Sequence, residues 1–181
     1  RLVLLRNGGA RYLAKNNNNI LRLEGLAISF PDAFLIHPFR DPLQQALSLL
    51  SQHRRAIALA EEDPFRRRFM TWLGHHEFGA DQRPLLFDGA PGRDEDATRV
   101  DNWLRLWDSV HRALLSAPPR VRERQFFLDY DALCTAPRTY GSRLAATIEA
   151  PIDSAALRTS APRHGEVDPG LLARAAETHA R

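Results

Sequence analysis

Residues 30–48 read FPDAFLIHPFRDPLQQALS, and the fold turns on the change of period inside this stretch. Pro31 and Asp32 are breakers, so a helix arriving from upstream stops there. Residues 33–39 (AFLIHPF) then make an apolar run of strand length, the pattern of a strand covered on both faces. Arg40, Asp41 and Pro42 close it. Asp41 suits a helix cap and Pro42 the first helical position, so a helix starts here, with Leu43, Ala46, Leu47, Leu50 and Ile57 along one face. His37, inside the apolar run, reads as a core histidine with its hydrogen bonds met.

Upstream, residues 11–15 (RYLAK) follow Gly8 and Gly9 and suit a short core strand. The asparagines at 16–19 stop it, and Ile20, Leu21, Leu23, Leu26, Ala27 and Phe30 then recur at helical spacing, predicting a helix over 19–30. Strand, helix, strand, helix is a parallel βαβ unit. Downstream, residues 64–78 read as a helix with Phe65, Phe69, Trp72 and Leu73 on one side and Arg66, Arg67 and Arg68 on the other. Residues 81–98, with Pro84, Gly89, Pro91 and Gly92, read as an exposed loop. Trp103, Leu104, Trp107, Val110 and Leu114 predict a helix over 100–115, and QFFLDY at 125–130 a third strand. Helices are expected near 132–148 and over 169–179. The tryptophans at 72, 103 and 107 read as core or pocket wall. No internal repeat or domain boundary interrupts the chain.

With 181 residues, 44% of them apolar, the chain suffices for one compact domain with one core. Its 25 basic and 22 acidic residues are intermixed, and the net charge is only +3. No basic stripe with interleaved aromatics runs along it, which argues against a nucleic-acid partner. Lys15 is the single lysine, and every other cation is arginine, the residue suited to forked contacts with phosphate and sulfate. Cys134 stands alone, which excludes an internal disulfide and a cysteine-based zinc cluster and fits the cytoplasm. No apolar run approaches the roughly 20 residues that a membrane span needs. The opening RLVLLRNGG reads like the tail of a helix already under way, so upstream sequence is expected.

In open α/β sheets, ligands bind beyond the carboxyl ends of the strands, where helix N-termini point backbone N–H groups at anions. Two such corners are visible: Lys15 with Asn16 and Asn17, and Arg40 with Asp41 and Pro42. Ser48 lies two helical turns past the second. Arg40 offers a forked cation and Ser48 a hydroxyl, and both can face one phosphate if the chain turns sharply at Pro42.

At this point the sequence resembles the sulfotransferases that use 3'-phosphoadenosine-5'-phosphosulfate (PAPS). The stretch at 30–48 is similar to that family's strand ending in Arg-Asp-Pro with a Ser eight residues after the Arg, and RYLAKNNNNILRLEGL to its strand ending in Lys. FFLDYDAL followed by Pro137 resembles its Tyr-Glu-Asp-Leu segment, with Asp131 where Glu is usual. The resemblance implies a P-loop-NTPase-like three-layer parallel sheet flanked by helices, here lacking its first strand. It implies one sulfotransferase-like domain over 1–181, with a helical acceptor-side insertion at about 64–117. It further implies that Arg40 and Ser48 hold the 3'-phosphate and that Tyr130 touches the nucleotide. Arg163, followed by His164 and Gly165, falls where a late basic loop closes over the nucleotide. The family's Ser/Gly/Thr-rich phosphosulfate loop is nowhere in the chain and is expected upstream of Arg1.

The expected reaction is attack of an acceptor hydroxyl or amine on sulfur, with 3',5'-ADP leaving and no metal required. The acceptor is expected to be a small molecule or carbohydrate. Lys15 is the candidate for the charge at the bridging oxygen, and His76 and Glu77, in LGHHEFG, are candidates for the base. The bland reading of that triplet is a polar helix end, and neighbouring histidines point apart on a helix, which disfavours a metal. Two rival functions are a P-loop-like nucleotide or small-molecule kinase, for which no Walker lysine loop is visible, and a non-catalytic nucleotide-binding or interaction module.

Overall fold

The strand expected at 33–39 forms as β1 (Leu35–Phe39) in the computed structural model, which describes residues 6, 8, 11–153, 157, 159 and 161–181. It pairs in parallel with β2 (Gln125–Asp129), in a register that sets Leu35 opposite Gln125 and Phe39 opposite Asp129. Among the described residues the sheet has these two strands, so the protein is mixed α/β and mostly helical. The Leu35 amide donates to the Arg124 carbonyl at 2.9 Å. The period of two in a ladder then turns residues 35, 37 and 39 toward β2, and Ile36 and Pro38 toward the outer edge. Pro38, which has no N–H, therefore stands where no partner strand among the described residues asks for one.

Between the strands the chain makes a long detour of helices. Helix α1 (Leu23–Ser29) precedes β1 and follows a short 3-10 turn at Asn17–Leu21, with a break at Arg22 where one continuous helix was expected. Helix α2 (Pro42–Glu62) leaves β1 through the Asp41 cap, whose side chain accepts from the Gln44 amide at 2.9 Å, with Pro42 at its first turn. Asp63 then caps helix α3 (Pro64–Trp72), and α4 (Val100–Leu115) follows the loop. After α5 (Pro119–Arg122) comes β2, then α6 (Tyr130–Thr135), α7 (Pro137–Ile148) and α8 (Pro169–His179).

The main core is where α2, α4 and α8 meet: Trp103, Leu104 and Trp107 lie against Ala46, Leu50 and Ala175. The small alanines let the helices approach the indoles closely. Asp108, buried on α4, ties α8 down by accepting from Thr178 Oγ1 at 2.6 Å and Arg174 Nε at 3.1 Å. A second cluster, Leu128, Leu133 and Leu144 with Ile36 and Phe126, packs the sheet against α6 and α7.

Two further sequence expectations are corrected here. Residues 11–15 form no strand; they run exposed, Leu13 at 88%, because no other described strand lies beside them to take their backbone hydrogen bonds. The βαβ unit therefore runs from β1 to β2 rather than from 11–15 to β1. The helix expected over 64–78 stops at Trp72. Gly74 takes a left-handed φ of 73°, its amide donates to the Thr71 carbonyl and the His75 amide to the Met70 carbonyl, a C-terminal motif that ends a helix sharply. The helix tail read at residues 1–9 falls mostly outside the described residues.

Candidate functional site

Because β1 and β2 are parallel and in register through Phe39 and Asp129, their next residues, Arg40 and Tyr130, emerge side by side at the carboxyl end of the sheet. Helix α2 starts at the same end. Its residues Gln45, Ser48, Leu49 and Gln52 fall three and four apart, hence on one face. That face, with Arg40, Tyr130 and Pro38, lines a cavity of about 290 Å³. Arg40, Ser48 and Tyr130 are thus brought together at one hollow.

The corner is fastened on three sides. Asp131 Oδ1 accepts from Arg40 Nε at 2.9 Å and lies 2.9 Å from Nη2 in an ion pair, and its Oδ2 accepts from the Asp41 amide at 3.1 Å. The Arg40 guanidinium carbon stands 5.7 Å from the centre of the Tyr130 ring. Gln45 Oε1 accepts from the Arg40 amide at 3.1 Å and from the Trp107 indole N–H at 3.1 Å, joining the corner to the main core. A half-buried cation beside a hydroxyl, with an aromatic wall, is an arrangement that binds a phosphate monoester and its sugar or base.

Behind Phe39 sit His111 and His179, edge-on to its ring, with Trp107 stacked on His111 at 3.9 Å. Burial pushes the His111 imidazole down to about 4, opposed by its bond to the Trp107 carbonyl and aided by the nearby His37 and His179. Burial also lowers His37. His37 Nε2 is buried with no hydrogen-bond partner among the described residues, so the expectation of a fully satisfied core histidine does not hold.

The remaining expected site residues lie elsewhere. Lys15 is exposed in the extended segment before the 3-10 turn. His76 follows the end of α3, its Nδ1 3.2 Å from the Asp81 carbonyl, and Glu77 Oε2 lies 3.5 Å from His75 Nδ1. None of these three lines the cavity. Arg163 is bound along the flank of α2: its amide donates to Gln44 Oε1 at 2.7 Å, its carbonyl accepts from Gln44 Nε2 at 3.0 Å, and its guanidinium reaches the Leu47 carbonyl at 3.3 Å. Gln44 and Leu47 flank Ser48 on the helix, so the segment carrying Arg163 passes beside the cavity face without lining it.

Sequence reasoning missed Gln45 and Gln52. Their spacing of three and four from Ser48 and Leu49 was the available signal. It also missed Asp131 as the partner of Arg40, which only the register of the two strands reveals. Among the described residues no cluster of His, Cys, Asp or Glu is arranged to hold a metal, and no helix is long and apolar enough to cross a membrane. Comparisons with family models, with characterised proteins and with solved structures find no match for the chain.

Proposed function

We propose that the protein is a sulfotransferase that takes its sulfuryl group from PAPS and passes it to a hydroxyl or amine of a small-molecule or carbohydrate acceptor. The observation that carries this reading is the convergence of Arg40, Ser48 and Tyr130 on one cavity at the carboxyl end of a parallel strand pair. In it, the Arg40 guanidinium and Ser48 hydroxyl hold the 3'-phosphate, and Tyr130 bears on the nucleoside. The small parallel sheet is read as part of a P-loop-like three-layer core. At about 290 Å³ the cavity is at the lower end of ligand pockets, room for the 3' end of the donor rather than all of it.

The sulfur lies at the other end of that donor. In the transfer the acceptor oxygen or nitrogen bonds to sulfur, the bond from sulfur to the bridging phosphate oxygen breaks, and the acceptor's proton passes to a base. Lys15 is proposed for the leaving oxygen and His76 or Glu77 for the base, positions outside the 3'-phosphate cavity. The lone thiol of Cys134 is compatible with a cytoplasmic setting. A second reading, a non-catalytic module that binds nucleotide, draws on the separation of those three residues from the cavity.

Thermal shifts with 3',5'-ADP, ADP and ATP test the proposal, since a ligand of the native state raises the melting point. A preference for 3',5'-ADP is expected, with Arg40→Ala abolishing that shift and leaving 5'-AMP little affected. Equal loss for both ligands, or a preference for ATP with magnesium, rejects it. Sulfuryl transfer from PAPS to a panel of phenols, sugars and amines separates the enzyme from the binding module.

A further inference from the structure

Arg40 can serve an anion only if its fork is held in one place, and the structure assigns that task to Asp131; this inference rests on the reading of the cavity given above. The carboxylate grips the guanidinium along its Nε edge, through Nε and Nη2, and the same group accepts from the Asp41 amide, so one side chain fixes both the arginine and the turn that carries it. Arg40 lines the cavity and Asp131 does not. The carboxylate therefore holds the cation from outside the hollow, with its side chain 42% exposed against 25% for Arg40. A competing carboxylate would occupy the hollow between Arg40 and Ser48, and would have to give up two anchors to leave it.

β2 thus delivers two consecutive residues to the site with different tasks: Tyr130 forms the wall and Asp131 aims the cation. Asp131 is a positioning residue. Its negative charge opposes every anion in the neighbourhood, so its removal strengthens attraction for anions in general while loosening the fork. The two effects separate in a ratio: charge acts on all nucleotides alike, whereas aim acts on the one that carries a 3'-phosphate.

Calorimetric titration of the full chain with 3',5'-ADP and 5'-AMP reads that ratio for the wild type, Asp131→Ala and Asp131→Glu. Asp131→Ala is expected to lower the preference for 3',5'-ADP about tenfold, the loss of roughly one charged hydrogen bond, while 5'-AMP binds as well or slightly better. Asp131→Glu, which keeps the carboxylate, restores most of the preference. An unchanged preference in Asp131→Ala overturns the assignment, as does tighter binding of 3',5'-ADP with the preference intact, which marks a competitor. Should Asp131→Ala not fold, Asp131→Asn takes its place.

A wild type without preference for 3',5'-ADP defeats the sulfotransferase reading by itself. A ligand-free measurement then judges Asp131 alone: the Arg40 Nε–H resonance should be visible and slow to exchange in the wild type and lost in Asp131→Ala. Its persistence in the variant overturns the positioning role.

Discussion

Helices α3 and α4 are built from similar materials. α3 sets Phe65, Phe69 and Trp72 beside three arginines, and α4 sets Trp103, Leu104 and Trp107 beside Arg105 and Arg112. Yet every residue of α3 is exposed, Trp72 at 69%, while Trp103 on α4 is exposed at 1%. The difference lies in what faces them. α4 meets α2 and α8 at Ala46 and Ala175, small residues that admit an indole, and its Asp108 is bonded to Thr178 and Arg174. α3 turns off α2 at Asp63 and Pro64 and ends nine residues later at the Gly74 turn, so its aromatic side meets no second helix among the described residues. An amphipathic pattern declares that a face can be covered; only the partner's surface decides whether it is.

The comparison breaks most visibly at Trp103. Trp103→Ala should cost about 3–5 kcal/mol in chemical denaturation, the range for emptying a packed aromatic site. A cost near zero would mean that the α2–α4–α8 core is not the stable half of the molecule.

Acid sharpens the contrast next. His111, on α4, has its folded value depressed to about 4 from the ordinary 6.5, so the unfolded chain binds the proton more readily between those values. Stability is therefore full above about pH 6.5 and falls as the pH drops toward 4, by about 2–3 kcal/mol from this group. The lowered values of His37 and His53 act in the same direction. Melting temperatures across that range should fall, and His111→Gln should shallow the fall; an unchanged slope rejects the role given to this ring. No histidine lies on α3, so the histidine contribution does not come from it.

The smallest effect belongs to α3 itself. Trp72→Ala should change folding stability by no more than about 0.5 kcal/mol, the range of surface substitutions. A cost of 2 kcal/mol or more would show that α3 is covered in solution after all.

The same distinction explains what the sequence makes legible. The bounds of α4 follow from periodicity, and those of α8 and the start of α2 also from a Pro at the first turn and an Asp cap, all local signals. The loop over 81–98 is equally readable from its prolines and glycines. The strand proposed at 11–15 fails because strand character depends on a neighbour, which composition does not supply. At the cavity, Arg40 and Ser48 are legible through a fixed spacing within one segment, and Tyr130 through the resemblance. Asp131 as a partner of Arg40 is not, since the contact spans residues 91 apart in the chain. Gln45 is hidden for the same reason: its carbonyl oxygen serves the Arg40 amide nearby but also an indole from another helix.

Pro38 carries one more consequence. The outer margin of β1 presents the backbone of Ile36 and Pro38, and the second of these has no hydrogen to give. Another extended chain arriving there could not complete a continuous ladder across it. The strand is thereby guarded against sideways growth into multi-chain sheets, and the guard stands at the lip of the hollow that Arg40 and Ser48 share. Substituting it with valine would mend the ladder and open that margin to self-association.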